Sequence, residues 1–165
     1  MRGCRRWGQT GAVLLDGINH VAVLTADTDR LTTFYADMFE ATVDGEVREG
    51  DGFRLTLVKV GPNSELNVFE IAGNDQARRQ VPMFERGRLD HLGLQAASID
   101  AFETIRDRLV AVGASDGFVT DFGQVLSLFF RDPDGLEAEV CVTNPDRQPG
   151  VLNPPGTPSR RYQPA

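Results

Sequence analysis

The chain has 165 residues and a formal net charge of −7, from 17 Lys and Arg against 24 Asp and Glu. A composition of 41% hydrophobic and 25% charged residues is that of a globular domain, and it excludes wholesale disorder, collagen-like fibres and coiled coils. No apolar run approaches the roughly 20 residues that span a bilayer, and the acidic balance provides no basic field for nucleic acid. The two cysteines, Cys4 and Cys141, make no disulfide framework, so we expect a cytoplasmic protein without a membrane or nucleic-acid partner.

The predicted elements form two similar groups along the chain. Residues 1–16 are expected to be a loose N-terminal extension, because their apolar patch is too short for a signal peptide. Alternating apolar residues then predict strands, and apolar residues at helical spacing predict helices. The first group is strand 18–24, helix 28–39 and strands 41–48, 53–60 and 66–71. After a connecting segment, 73–88, the second group is strand 89–95, helix 99–112 and strands 118–120, 124–131 and 136–142. Residues 143–165 are expected to be a Pro-rich tail.

The two groups are an internal repeat. The only two histidines, His20 and His91, lie 71 residues apart, and the residues around them match at that offset. The matches continue through the helices and the later strands without requiring a gap. We therefore predict an α+β fold of two tandem βαβββ modules, residues 17–72 and 89–142.

Both histidines and several acidic residues fall on the first and last strands of the modules. If the two sheets face each other, these side chains converge on one cavity, where imidazole nitrogens and carboxylate oxygens can hold a divalent metal ion. In the second module Glu139 is the preferred carboxylate, and Glu137 on the same face is the alternative. At an offset of 71 Glu139 corresponds to Val68, whose face Glu70 shares, so Glu70 is favoured over Asn67 as the fourth ligand. A slip of one residue or a bulge would reverse that choice.

These features resemble the vicinal oxygen chelate superfamily, which includes glyoxalase I, methylmalonyl-CoA epimerase, extradiol dioxygenases, fosfomycin-resistance transferases and bleomycin-binding proteins. The most specific element is the turn Asp132-Pro133-Asp134-Gly135, with Glu139 four residues after its glycine. The resemblance covers about residues 17–142 and implies that the modules pair into a curved, barrel-like mixed sheet with the helices outside. It also implies a small-molecule substrate, a homodimer and one divalent metal ion (Ni, Zn, Co, Mn or Fe), held by His20, Glu70, His91 and Glu139.

The resemblance leaves three functions open. The first is a glyoxalase- or epimerase-like lyase or isomerase, in which Glu70 or Glu139 is the catalytic base and the metal stabilises an enolate or enediolate. The second is an Fe(II) extradiol-type dioxygenase, whose facial triad matches His20, His91 and Glu139 but which usually needs a further histidine. The third is a non-catalytic antibiotic-binding protein of the bleomycin-resistance type. We rank the lyase or isomerase first because it needs no residue beyond those present.

Overall fold

The computed structural model describes residues 17–146, so the expected extension at 1–16 and most of the expected tail lie outside the described residues. The first module contains β1 (His20–Thr25), α1 (Thr28–Phe39), β2 (Thr42–Glu49), β3 (Phe53–Gly61) and β4 (Ser64–Ile71). The second contains β5 (Leu92–Gln95), α2 (Ile99–Ala111), β6 (Val119–Asp121), β7 (Val125–Arg131) and β8 (Glu137–Thr143). Within residues 17–146, no helix is long and apolar enough to cross a membrane.

Each module forms its own four-stranded mixed sheet. The strand orders are β1-β4-β3-β2 and β5-β8-β7-β6, so the first and last strands of each module are neighbours. These two strands run parallel in each module, whereas the other neighbours are antiparallel. The predicted α+β fold of two βαβββ modules is therefore confirmed.

The helices begin at residues whose side chains accept backbone hydrogen bonds. The Asp27 carboxylate accepts from the N–H of Arg30 at 3.0 Å, and the Ser98 hydroxyl accepts from the N–H of Ala101 at 3.1 Å. Such N-caps satisfy donors that have no partner inside the helix. The first helix ends at Phe39, and the next residue, Glu40, adopts a left-handed conformation with φ 57°.

The helices pack on one side of the sheets, and the two modules share this core. One cluster of buried residues lies mainly in the first module around Leu31 and Tyr35, and the other lies mainly in the second around Phe102 and Phe130. Partly buried side chains contact both clusters: Phe34, Phe39, Leu92 and Leu94. Burial of these apolar surfaces holds the modules together within one chain.

A polar contact also joins the modules, at the turn between β7 and β8. The Asp134 carboxylate, whose side chain is only 4% exposed, accepts from the hydroxyl of Thr25 at 2.6 Å. It also forms an ion pair with Arg30 at 2.5 Å. We call this contact the Asp134 bridge; it ties the end of β1 and the start of α1 to the second module.

We call the side of the sheets that faces away from the helices the open face. Alternation along a strand places successive side chains on opposite faces. Because Val21 and Val23 of β1 pack into the helix-side core, His20 lies on the open face. In β8, Ala138, Val140 and Val142 belong to the core, so Glu139 lies on the open face as well.

Candidate metal centre

His91 and Glu139 are brought together by the parallel pairing of β5 with β8. His91 immediately precedes β5, and Glu139 is the partner of Gly93 in the register of the two strands. The His91 Nε2 atom lies 3.2 Å from Glu139 Oε1, and the two side chains are 28% and 17% exposed. A Cβ at position 93 would meet Glu139 Oε1 at 3.4 Å, so glycine leaves room for this carboxylate. The expected proximity of His91 and Glu139 is present.

The second nitrogen of His91 is held by the residue before it. His91 Nδ1 lies 2.7 Å from Asp90 Oδ2, and an ionised carboxylate can only accept, so the proton of a neutral imidazole is on Nδ1. Nε2 then carries a lone pair and faces the carboxylate oxygen of Glu139, which is also an acceptor. Two acceptors at this distance repel unless a proton or a cation lies between them. The hydrogen bond from His91 lowers the pKa of Asp90, which keeps that carboxylate ionised.

A buried hydroxyl group fixes the other oxygen of Glu139. The fully buried hydroxyl of Ser127, on β7, donates to Glu139 Oε2 and so orients Oε1 toward His91. Cys141 lies two residues further along β8, and burial, then the charge of Glu139, raises the pKa of its thiol to about 12. A thiol that stays protonated can donate to the Glu139 carboxylate and does not act as a nucleophile.

His20 occupies the corresponding position in the first module. Its Nδ1 atom lies 2.8 Å from the side-chain oxygen of Asn19, as His91 Nδ1 lies beside Asp90, and its side chain is exposed. Across residues 17–146, however, no three His, Cys, Asp or Glu side chains lie close enough together to hold a metal ion. Within these residues His91 lies between two carboxylates, those of Asp90 and Glu139, and His20 lies outside this group.

Glu70 does not lie with the histidines, which corrects the expected grouping. His20 pairs with Glu65 at the start of β4, whereas Glu70 pairs with Thr25 at the far end of β1. The Glu70 carboxylate accepts from the N–H of Thr28 at 2.9 Å, at the start of α1. It also lines a cavity of about 430 Å³ at that end of the sheet. Glu70 therefore lies on the helix side and satisfies a helix donor.

Asn67 is the counterpart of Glu139 in the strand register. Ala22 pairs with Asn67 in the first module, as Gly93 pairs with Glu139 in the second. The offset is thus 71 between positions 22 and 93 but 72 between positions 67 and 139. The side-chain oxygen of Asn67 is buried and has no hydrogen-bond partner in the described part of the chain. Such an oxygen is costly to bury unless a ligand satisfies it.

Glu137, the alternative to Glu139, is engaged elsewhere. Its carboxylate is buried and accepts from Arg131 at 2.6 Å, from Arg86 at 3.4 Å and from the N–H of Met83 at 2.5 Å. These contacts fasten the connecting segment to the start of β8. Glu137 therefore serves the packing of that segment, and Glu139 remains the carboxylate beside His91.

The sequence pattern did not single out two residues that contact the centre, Asp90 and Ser127. Asp90 carried a usable signal, because a side-chain acceptor, Asn19 or Asp90, precedes each histidine of the repeat. Ser127 carried none, since its contact with Glu139 depends on the antiparallel pairing of β7 with β8.

Comparison with known proteins places the chain in a family. The family model described as the Glyoxalase/Bleomycin resistance protein/Dioxygenase superfamily matches residues 17–140. The chain therefore belongs to this superfamily, which is the resemblance expected from its repeat, histidines and turn.

Individual relatives agree with this assignment. A 2-epi-5-epi-valiolone epimerase from an Actinomyces species is 28% identical over 153 residues, and the match covers 81% of each chain. Among solved structures, a glyoxylase/bleomycin resistance protein/dioxygenase domain from Frankia sp. EAN1pec superposes with a TM-score of 0.65 at 22% identity, covering 79% of this chain and 94% of that one. The fosfomycin resistance protein FosX of Listeria monocytogenes, solved with Mn(II) and sulfate, has a TM-score of 0.55 at 13% identity over 81% and 98% of the chains.

Proposed function

We propose that this protein is a divalent-metal-dependent lyase or isomerase that acts on a small molecule with adjacent oxygens. The observation that carries the proposal is the His91–Glu139 pair, in which Nε2 and Oε1 face each other at 3.2 Å while Nδ1 is held by Asp90. A histidine that ligates a metal typically donates its other N–H to a carboxylate in this way. The epimerase relative supports a reaction of the isomerase type.

The residues present fit a metal ion by their chemistry. Two imidazoles, the Glu139 carboxylate and the unpartnered amide oxygen of Asn67 make a nitrogen and oxygen set suited to Mn, Fe, Co, Ni or Zn. We propose His20, His91 and Glu139 as ligands, with Asn67 in place of Glu70 as the fourth. The exposed His20 side chain must move closer to the other ligands to join them, and its contact with Asn19 at Nδ1 leaves Nε2 available.

A divalent ion bound by these residues would polarise adjacent substrate oxygens and stabilise negative charge that develops on them. Glu139 is the base in this proposal, because Glu70 is engaged at the start of α1. Glu139 would serve as the base only when its Oε1 is not bound to the metal. Oε1 then removes a proton from the carbon next to the substrate carbonyl and returns it to the same or the neighbouring carbon. Ser127 holds Oε2 during this transfer, so the reacting oxygen is Oε1.

An Fe(II) dioxygenase is the second candidate, and one observation favours it. Asn67 is a neutral amide, so the other three proposed ligands are two histidines and one carboxylate. These are the residue types of the facial triad of non-haem iron oxygenases. The described chain offers no further histidine for proton transfer, since His20 and His91 are the only two in the sequence. The lyase or isomerase therefore stays first.

Metal content decides among the candidates. We expect about one equivalent of Ni, Zn, Co or Mn per chain, by elemental analysis of protein purified anaerobically without chelator or affinity tag. Assays then begin with α-ketoaldehyde–thiol adducts, acyl-CoA epimers and cyclic hydroxyketones. Stoichiometric Fe(II) would instead promote the dioxygenase and direct assays to catechols. Protein that takes up no metal on titration would contradict both enzymes and leave the antibiotic-binding protein.

The ligand assignment has its own test. His91→Ala should abolish stoichiometric metal binding while leaving the fold intact by circular dichroism. Folded His91→Ala protein with wild-type metal content would refute the site. A homodimer and a cytoplasmic location, expected from the resemblance and the composition, remain parts of this proposal.

A further inference from the structure

The segment that leads into His91 presents an unusual residue at its tip. Phe84 is a non-glycine residue with φ 73°, and its side chain is 77% exposed. The other such residue within 17–146 is Glu40, whose conformation simply ends α1. A left-handed conformation at a bulky residue costs free energy and persists only where neighbouring contacts impose it.

One carboxylate supplies such a contact. Asp90 Oδ1 accepts from the backbone N–H of Phe84, while Asp90 Oδ2 accepts from His91 Nδ1 at 2.7 Å. Asp90 therefore connects a proposed metal ligand directly to the strained tip of the loop formed by residues 81–90. The two oxygens have separate partners, so neither contact competes with the other.

The base of the same loop is fastened independently. The guanidinium of Arg86, 9% exposed, donates to the backbone oxygen of Asp90 at 3.1 Å and to that of Glu137 at 3.0 Å. It also donates to the backbone oxygen of Val81. Arg86 thus anchors the base of the loop, and the N–H of Met83 bonds to the Glu137 carboxylate next to the tip. At the tip itself, Asp90 accepts from the N–H of Phe84.

We propose that Asp90 is a positioning residue that couples metal binding at His91 to the conformation of the 81–90 loop, which leads directly into His91. A metal ion on Nε2 fixes the imidazole and keeps the proton on Nδ1, which strengthens the bond to Asp90. Asp90 held in this way keeps the N–H of Phe84 engaged. Coupling of this kind is reciprocal, so loss of Asp90 also weakens metal binding. The inference rests on the proposed metal site.

The test measures hydrogen exchange of the Phe84 amide by mass spectrometry, with and without added Zn²⁺ or Mn²⁺. In the wild-type protein we expect the metal to slow this exchange about tenfold. In Asp90→Ala the effect of the metal should fall below about twofold, and the metal affinity should drop about 10- to 100-fold. Equal protection of Phe84 by metal in Asp90→Ala would overturn the inference.

Two matched variants control the experiment. Asp75→Ala removes an exposed carboxylate that pairs with Arg79 in the same connecting segment, and should behave as wild type. Phe84→Ala keeps the backbone N–H and should bind metal within about twofold of wild type. Two measurements separate the two proposals. Equal exchange of the Phe84 amide in metal-free wild type and metal-free Asp90→Ala would overturn this inference. Absence of metal uptake by the wild-type protein on titration would overturn the proposed function.

Discussion

Single side chains set the charge of the candidate metal centre. The second module contributes the Glu139 carboxylate, whereas the equivalent position of the first carries the neutral amide of Asn67. With two histidines, the set would hold a divalent ion with one negative charge rather than two. Ligand charge is a main determinant of metal affinity, so a change of charge at position 67 should change the affinity.

Substitutions at positions 67 and 70 separate metal binding from the stabilisation of the start of α1. Asn67→Glu should raise the affinity for Mn²⁺ or Zn²⁺ about tenfold, because it adds a charged oxygen ligand.

Glu70→Gln should leave that affinity within about twofold but lower the free energy of unfolding by about 1 kcal/mol, because it weakens the contact with the N–H of Thr28. Calorimetric titration and denaturant unfolding measure both effects. Loss of metal binding in Glu70→Gln would restore Glu70 as a ligand.

Ser127 should matter for metal affinity rather than only for stability. Ser127→Ala frees Oε2 of Glu139 and should weaken metal binding about 10-fold or more, with rescue by Ser127→Thr. Ser115→Ala is the matched control, because this buried hydroxyl donates instead to the backbone oxygen of Phe129. An equal loss of affinity in both variants would reduce Ser127 to a packing residue.

Among the secondary-structure connections, the turn from β7 to β8 combines burial with charge. The Asp132 carboxylate accepts from the N–H of Asp134 at 3.0 Å and from the N–H of Leu136 at 2.8 Å. Burial, with a smaller contribution from the charge of Asp134, nevertheless raises the pKa of Asp132 to about 6. This turn shapes the start of β8, which carries Glu137 and then Glu139.

The raised pKa makes a pH-dependent contribution to stability. The folded chain binds the Asp132 proton more tightly than the unfolded chain, so this contribution is complete below about pH 4 and is lost as pH rises through about 6. Its size is about 3 kcal/mol at most. Asp132→Asn keeps an acceptor for both N–H groups, so its stability relative to wild type should increase from pH 4 to pH 8.

Thermal unfolding across this pH range measures the difference. Asp116→Asn is the control, because the exposed Asp116 carboxylate accepts from the N–H of Phe118 in a similar local turn. A constant difference between Asp132→Asn and wild type from pH 4 to pH 8 would contradict the assignment to Asp132.

For the molecule as a whole, the central question is whether one chain or two supply the site. The shared core and the Asp134 bridge join the two modules inside one chain. His20 and His91 both lie on the open face, and His20 remains outside the group formed by His91 and Glu139. We expect the metal site to be completed within one chain, because the bridge positions β1 against the second module.

Mixing two inactive variants tests this expectation. His20→Ala and His91→Ala chains, mixed and allowed to exchange subunits, should regain no stoichiometric metal binding, because each chain lacks one ligand of its own site. Recovery of about a quarter of the wild-type metal content, from one intact site in each mixed dimer, would show that subunits share the site. Size-exclusion chromatography with light scattering establishes whether mixed dimers form.

The sequence by itself determined the two βαβββ modules, the equivalence of His20 and His91, and the superfamily. Periodicity and turn chemistry are read from residues near one another in the chain, and the repeat is read by comparing its two halves. Which of Glu70 and Asn67 shares a face with the histidines was decided only by the tertiary structure. Strand register depends on hydrogen bonds between distant segments, and the second module has one residue more between its first and last strands. That single residue moves every later side chain to the opposite face, so the face of Glu70 could not be inferred from an ungapped repeat.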